Sequence, residues 1–346
     1  MRRSIPLAFA VAAAVGCGPT TAGTQDDAGV AGDAINNHLQ QDANQQDDAY
    51  VPPPPYDAAP PTPTILYAHT GTKLYQVDPS VQPVAVSLIG TFDCVGGTNQ
   101  DPTMTDIAVD KDGKLFAVSN TRAYPLSISG NTVHCDATWT LQGDAHYYGL
   151  TFAPAGVLRP TEMLVGANAA GELWAIDSDG ATTKVGTFGN VPANDGHGHT
   201  YDSANVGQPW ELSGDIVFLT NGGNWVGFAT LRDCPNPPSL SGCNANDTLV
   251  ELDLTNWQLG GTPKMVTKAV RGMVVKASGC ADSTTNGYGH MYGTAALGTK
   301  VYGFSNSGNI VEISNVDGSA CAIANISGDS FAGAGVTTLA PVIGPD

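Results

Sequence analysis

The feature that most constrains the fold is a strand that returns along the chain. KLYQVD (73–78) recurs as ELWAID (172–177), TLVELD (248–253) and NIVEIS (309–314), with a weaker copy in YPLSIS (124–129). Each alternates an apolar with a polar position and ends in a residue suited to starting a turn, the pattern of a half-buried strand. A second recurring strand lies upstream of these copies: MTDIAVD (104–110), YYGLTFA (147–153), LSGDIVFL (212–219), MYGTAAL (291–297) and AGVTTLA (334–340). It is rich in Gly, Ala, Thr and Val, as strands crowded near an axis require. A third strand sits between the two, in KLFAVS (114–119) and KVYGFS (300–305), and the DG dipeptides of DKDGK, DSDGA and NVDGS suit hairpin turns. No segment of this region reads as an amphipathic helix.

Antiparallel sheets of three or four short strands, repeating every ~40–50 residues, resemble a β-propeller. The likeness is to the YVTN- and NHL-like propellers, and it covers residues 65–341; the WD dipeptide of WD40 repeats is absent. It implies an all-β fold of five blades, with room for a sixth in residues 210–280. ILYAHTGTKLYQVD carries the outer-strand patterns without an inner strand, and AGVTTLAP is an inner strand without outer ones. Their union in one blade closes the ring and removes its open edges.

Six cysteines follow Cys17. Cys94 and Cys135 are 41 residues apart, as are Cys280 and Cys321, which is about the length of one blade. Each pair is placed to staple the outer strands of neighbouring blades, and Cys234 with Cys243 to close the PNPPSLSG loop. The chain has no CxxC, so structural bridges are favoured over redox or zinc–thiolate chemistry.

The chain opens MRRSIPLAFAVAAAVGC, a basic start followed by an apolar run too short to span a bilayer as a mature helix. Residues 1–16 read as a signal peptide. AVGC (14–17) resembles a bacterial lipobox, in which Cys17 becomes the lipid-bearing first residue; an ordinary secretion signal cut near Cys17 is the alternative. By the same resemblance, Gly18 rather than Asp after the cysteine points to the outer membrane. Residues 17–64 hold polar, acidic and then proline-rich sequence, including His38, and are expected to form a disordered tether. The domain is assigned to 65–346.

The chain has 14 Lys and Arg against 32 Asp and Glu; loss of residues 1–16, with two arginines and no acid, leaves −20. Nucleic acid is thus an unsuitable partner. The expected partners are the membrane, through lipid on Cys17, and a protein or small-molecule ligand held by a monomeric domain.

Histidine supplies the candidate chemistry. NDGHGHTYD (194–202) carries His197 and His199 in a glycine-rich loop, flanked by Asp195 and Asp202. In a propeller, links from one blade to the next surround one mouth of the central channel. GDAHYYG places His146, and GYGHMYG places His290, at matching positions just before inner strands, and Glu211 occupies the same slot between them. His146, His197, His199, Glu211 and His290 are therefore the candidate ligands of one zinc or other divalent transition metal. The competing reading has the same residues solvated or packed beside Tyr147, Tyr148, Tyr288 and Tyr292. Trp210 and Trp225, with Asp195 and Asp202, are candidate ligand-binding residues, the tryptophans as stacking platforms. DKDG and DSDG lack the ligand run of a calcium loop. HExxH, GxSxG and the Walker loop are absent. The expectation is a non-catalytic, surface-anchored binding propeller. The alternative is a metal-dependent hydrolase or lyase whose metal activates water at the channel mouth, with Glu211 or Asp195 moving the proton.

Overall fold

A computed structural model of the chain describes residues 65–143, 146–221, 224–234, 242–283 and 287–339. Residues 1–64, with the expected signal peptide, Cys17 and the expected tether, lie outside the described residues. All described residues belong to one compact unit, Ala58–Asp346. Among them the helical content is one 3-10 turn, Leu254–Asn256; the rest of the regular structure is strand.

The strands form antiparallel meanders, each beginning with an inner strand. The strands β4 (Met104–Val109), β5 (Leu115–Ser119), β6 (Arg122–Ser129) and β7 (Thr132–Cys135) make one meander, and the short β8 (Trp139–Thr140) pairs with β6. A second comprises β9 (Tyr147–Ala153), β10 (Met163–Asn168), β11 (Glu172–Ile176) and β12 (Thr182–Thr187). A third holds β13 (Glu211–Asn221), β14 (Asn224–Arg232), β15 (Thr248–Leu252) and β16 (Thr267–Met273). The fourth runs through β17 (Met291–Leu297), β18 (Lys300–Ser305), β19 (Asn309–Ile313) and β20 (Ala320–Asn325). The last is composite: β1 (Leu66–His69), β2 (Lys73–Asp78) and β3 (Ala85–Phe92) take their inner strand, β21 (Gly333–Gly335), from the other end of the chain. The register is Tyr67↔Gly335, Ala68↔Ala334 and His69↔Gly333.

The inner strands close a ring. β4 lies against β9, β9 against β13, β13 against β17, β17 against β21, and β21 against β4. The apolar core is divided accordingly into clusters, each shared by two neighbouring meanders. Leu150, Leu164 and Ile176 meet Ala108 and Val118, for example, while Phe304 and Ile310 meet Leu66, Val77 and Phe331 across the composite meander. A meander has apolar residues on both faces and buries neither alone, so the sheets stabilise one another only as a circle. This is a β-propeller, closed by pairing of the terminal strands as the incomplete sequence patterns at the two ends imply.

Two features differ from the sequence reading. The inner strand expected over 334–340 is short. Beyond Gly335 the chain leaves the sheet, Thr337 bridges Val109 in parallel, and its Oγ1 donates to the Asp110 carbonyl at 2.8 Å. Residue 340 lies outside the described residues. In addition, β3 pairs in parallel with β7, at Thr91↔Thr132 and Phe92↔Val133, joining two meanders at their outer edges.

The disulfides are Cys94–Cys135, Cys280–Cys321 and Cys234–Cys243. The first reinforces the β3–β7 contact and the second ties the link after β16 to β20. Each spans 41 residues, a closure that restricts the unfolded chain by about 4 kcal/mol in the entropy model.

Gly333 sits at the seam with no room for a side chain. A Cβ there would lie 2.0 Å from Asp106 Oδ1 and 2.3 Å from His69 Nε2, both on side chains that are fully buried. We expect Gly333→Ala to lower the urea unfolding free energy by ~1–3 kcal/mol or more through overpacking. An unchanged transition would show that the seam is looser than this packing requires.

Candidate functional site

Four inner strands begin with the same irregularity. In β4, Met104 pairs with Ser119 and Asp106 with Val118, so Thr105 is an extra residue. In β9 the extra residue is Tyr148, between Tyr147↔Asn168 and Gly149↔Ala167. In β17 it is Tyr292, between Met291↔Ser305 and Gly293↔Phe304. β13 has a longer version, in which Ser213, Gly214 and Asp215 face Thr230 alone. Such bulges bend a strand and re-aim its side chains. Their common placement gathers Thr105, Tyr148, Ser213 and Tyr292 at one end of the ring.

These residues line a cavity of about 380 Å³ at the channel mouth. Every meander contributes from the start of its inner strand: Thr103 to Thr105, Tyr148, Glu211 to Ser213, Tyr292, and Ala332 next to β21. Ala169 and Arg232 complete the wall. Tyr148 is 42% exposed, so the cavity opens to solvent at its aromatic rim.

The charged centre of the mouth is an ion pair. Arg232 Nη2 donates to Glu211 Oε1 at 2.8 Å, and the side chains are only 9% and 11% exposed. Arg232 Nη1 donates to His290 Nδ1 at 3.2 Å. Because a guanidinium only donates, that nitrogen carries a lone pair and the imidazole is neutral. Burial, followed by the Arg232 charge, lowers the His290 pKa in agreement with this. His290 also has a positive φ of 53°, sparsely allowed for a side chain of its size; its N–H donates to Asp247 Oδ1 at 3.2 Å.

Asp247 is fully buried. It accepts from Ser213 Oγ at 2.6 Å and Met291 N at 2.8 Å. Burial pushes its carboxyl up to about 6, against the hydrogen bonds and the Arg232 charge, which lower it. Deeper on the axis, Asp106 and Asp215 are buried together, and both take the Leu150 N–H, at 2.5 and 3.1 Å. Burial raises both far above the carboxylate range, and for Asp106 the Asp215 charge adds to it, so the pair keeps a proton. His69 Nδ1 lies 2.7 Å from the Thr70 carbonyl and donates to it. Its Nε2 faces Asp106 Oδ1 at 3.7 Å, and burial lowers its pKa to about 4.

The five candidate metal ligands do not assemble. Glu211 and His290 come near one another, but Arg232 stands between them, and a cation already occupies the position a metal would need. His146 bonds the Asn120 carbonyl through Nδ1 at 2.8 Å. His197 and His199 belong to a loop organised by Asp195. Its Oδ1 accepts the N–H groups of His197 and His199 at 2.8 and 3.0 Å, and its Oδ2 accepts His199 Nδ1 at 2.8 Å and Met273 N at 3.2 Å. Burial opposes ionisation of Asp195, but these bonds outweigh it and hold the carboxyl down to about 2, far from a proton-transferring base. Among the described residues, groups of three His, Cys, Asp or Glu atoms within 4.8 Å occur only beside disulfides: Asp93 with Cys94 and Cys135, and Glu211 with Cys234 and Cys243. Bridged sulfurs are not thiolate ligands.

The proposed aromatic platforms also need correction. Trp210 is 1% exposed and packs edge-on against Tyr201 at 5.3 Å, so it is core. Trp225 lies partly buried against the same cluster. Asp195 is spent on its loop, and Asp202, exposed, caps Ala204 N at 2.9 Å. The residues that matter most at the mouth and escaped the sequence reading are Arg232, Tyr148 and Tyr292 as cavity walls, and Asp247. A lone arginine ending the apolar run GFATLR was the available signal.

No protein-family model matches the chain, and no curated protein does. Solved structures similar to it include a protein of unknown function from Bacteroides caccae, with a TM-score of 0.37 and 9% identity over 80% of this chain and 99% of that one. Another is the WD40 β-propeller domain of Doa1, with a TM-score of 0.31 and 11% identity over 78% of this chain and 67% of that one.

Asp247 gives the site a pH signature. A carboxyl raised in the folded state adds stability that is complete below its unfolded pKa and is lost as pH rises through the folded value. Between about pH 4 and pH 7, the wild type should therefore lose on the order of 3 kcal/mol relative to Asp247→Asn in urea unfolding. Parallel stability curves for the two proteins would refute the assignment.

Proposed function

We propose that the chain is a lipid-anchored envelope protein whose five-bladed propeller holds a small polar ligand at the channel mouth without transforming it. The observation that carries this reading is the cavity itself. Four meanders build it from bulged strand starts and the composite one from Ala332 beside β21, and its charged pair is bonded to His290. A rigid scaffold presenting such a recess suits recognition. The recurring KLYQVD-type strand and its DG hairpins support grouping with the YVTN- and NHL-like propellers, and AVGC at 14–17 supports acylation of Cys17 with an outer-membrane location.

Two experiments test the two halves. A small-molecule fragment library observed by NMR against the full chain should give hits that Tyr148→Ala/Tyr292→Ala abolishes and that persist unchanged on incubation. Hits indifferent to those tyrosines would overturn the mouth as the binding site, and steady consumption of a mouth-dependent hit would replace binding with catalysis. For the anchor, cells fed an alkynyl palmitate should label the full chain, while Cys17→Ala should be unlabelled and leave the membrane fraction. Equal partitioning of both proteins would contradict acylation.

A further inference from the structure

We infer that the mouth ligand is a neutral saccharide, gripped through a pair of adjacent hydroxyls; this rests on the binding reading above. Charge comes first. Of the residues that line the cavity, the charged ones are Glu211 and Arg232, which cancel, and the arginine fixes His290 in its neutral form. An anionic ligand would meet the Glu211 carboxylate inside a chain of formal charge −18, and a cation would meet Arg232. A zwitterion would bring two further charges against a pair that is only 9% and 11% exposed, and their desolvation is costly.

Hydrogen-bonding capacity comes next. Arg232 has five N–H donors, of which one faces Glu211 and one His290. Its Nε is buried out of a ligand's reach, so the donors it can offer are the second N–H groups of Nη1 and Nη2. Glu211 accepts Arg232 on Oε1, while among the described residues Oε2 accepts nothing. The pair thus offers a free acceptor and free donors side by side, in a geometry the ion pair fixes. A hydroxyl both donates and accepts, so two neighbouring hydroxyls satisfy this edge without leaving a buried charge unpaired.

The rim completes the match. Tyr148 and Tyr292 come from opposite sides of Glu211 in chain order and present rings with a polar tip, which suit the apolar faces and hydroxyl edges of a pyranose. At about 380 Å³ the cavity is at the low end of ligand sites and holds about one or two sugar rings.

The test is titration of the full chain with methyl α-glucoside, methyl α-galactoside, methyl α-mannoside and N-acetylglucosamine, beside glucuronate, glucosamine and alanine as charged comparators. At least one neutral sugar should bind saturably, with Kd raised about tenfold or more by removing one hydroxyl of the gripped pair. Tyr148→Ala, a change at a rim position that should leave the fold intact, should weaken it by a similar factor, and Glu211→Gln should do so with the melting temperature recorded alongside. A charged comparator binding as tightly as any neutral sugar overturns the inference, as does sugar binding that ignores Tyr148. If no sugar binds but fragments still occupy the mouth, the saccharide inference fails while the binding reading stands; if neither binds, both fail.

Discussion

The short antiparallel pairing of β1 with β21 is the contact on which the rest of the molecule depends. It spans three residue pairs, yet it converts an open row of meanders into a ring. Without it, the cluster of Leu66, Val77, Phe304 and Phe331 has only one wall. The seam is also where the axis is most polar: His69 on β1 and Asp106 on β4 flank Gly333 on β21. The packing there tolerates hydrogen but not a methyl group.

The mouth inherits its order from that ring. Its residues lie far apart in sequence and become neighbours only because each inner strand starts at the same level. The bulges then set direction, sending Tyr148 and Tyr292 to the rim and Ser213 down to Asp247. Gly214 permits the β13 bulge to approach β17 closely, since a Cβ there would lie 1.9 Å from the Met291 carbonyl oxygen. Asp247 in turn ties Ser213 to the backbone of His290 and Met291, so two meanders share one carboxyl. A strongly acidic chain has in this way built a cavity wall whose two charged residues, Glu211 and Arg232, balance.

Much of the fold was legible in the sequence, and particular residues show why. Alternation in KLYQVD and its copies marks the third strand of every meander, with Gln76 exposed between buried neighbours in β2, although β15 is buried along its whole length. The 41-residue spacing of Cys94–Cys135 and Cys280–Cys321 matched one repeat, so the pairings could be read without coordinates. The site was less legible. A bulge adds a residue without altering composition, and nothing in YYG or MYG distinguishes an unpaired tyrosine from a ladder member. Glu211 and His290 were placed at the mouth by their slots, but the arginine joining them comes from the far end of β14, a strand that the repeats left unmarked. NDGHGHTYD looked like paired metal ligands because spacing says nothing of hydrogen bonding, and Asp195, fixed to Met273, had already claimed the loop. Trp210 looked like a surface platform because Tyr201, its cover, lies across a turn.

The most direct test of this account is amide hydrogen exchange on the full chain, comparing wild type with Gly333→Ala under native conditions. If the terminal pairing assembles the ring and the ring assembles the mouth, loosening the seam must speed exchange at the starts of β4, β9, β13 and β17 as well as in β1 and β21. Acceleration confined to β1 and β21 would contradict it, and the mouth would then be held together by its own local contacts.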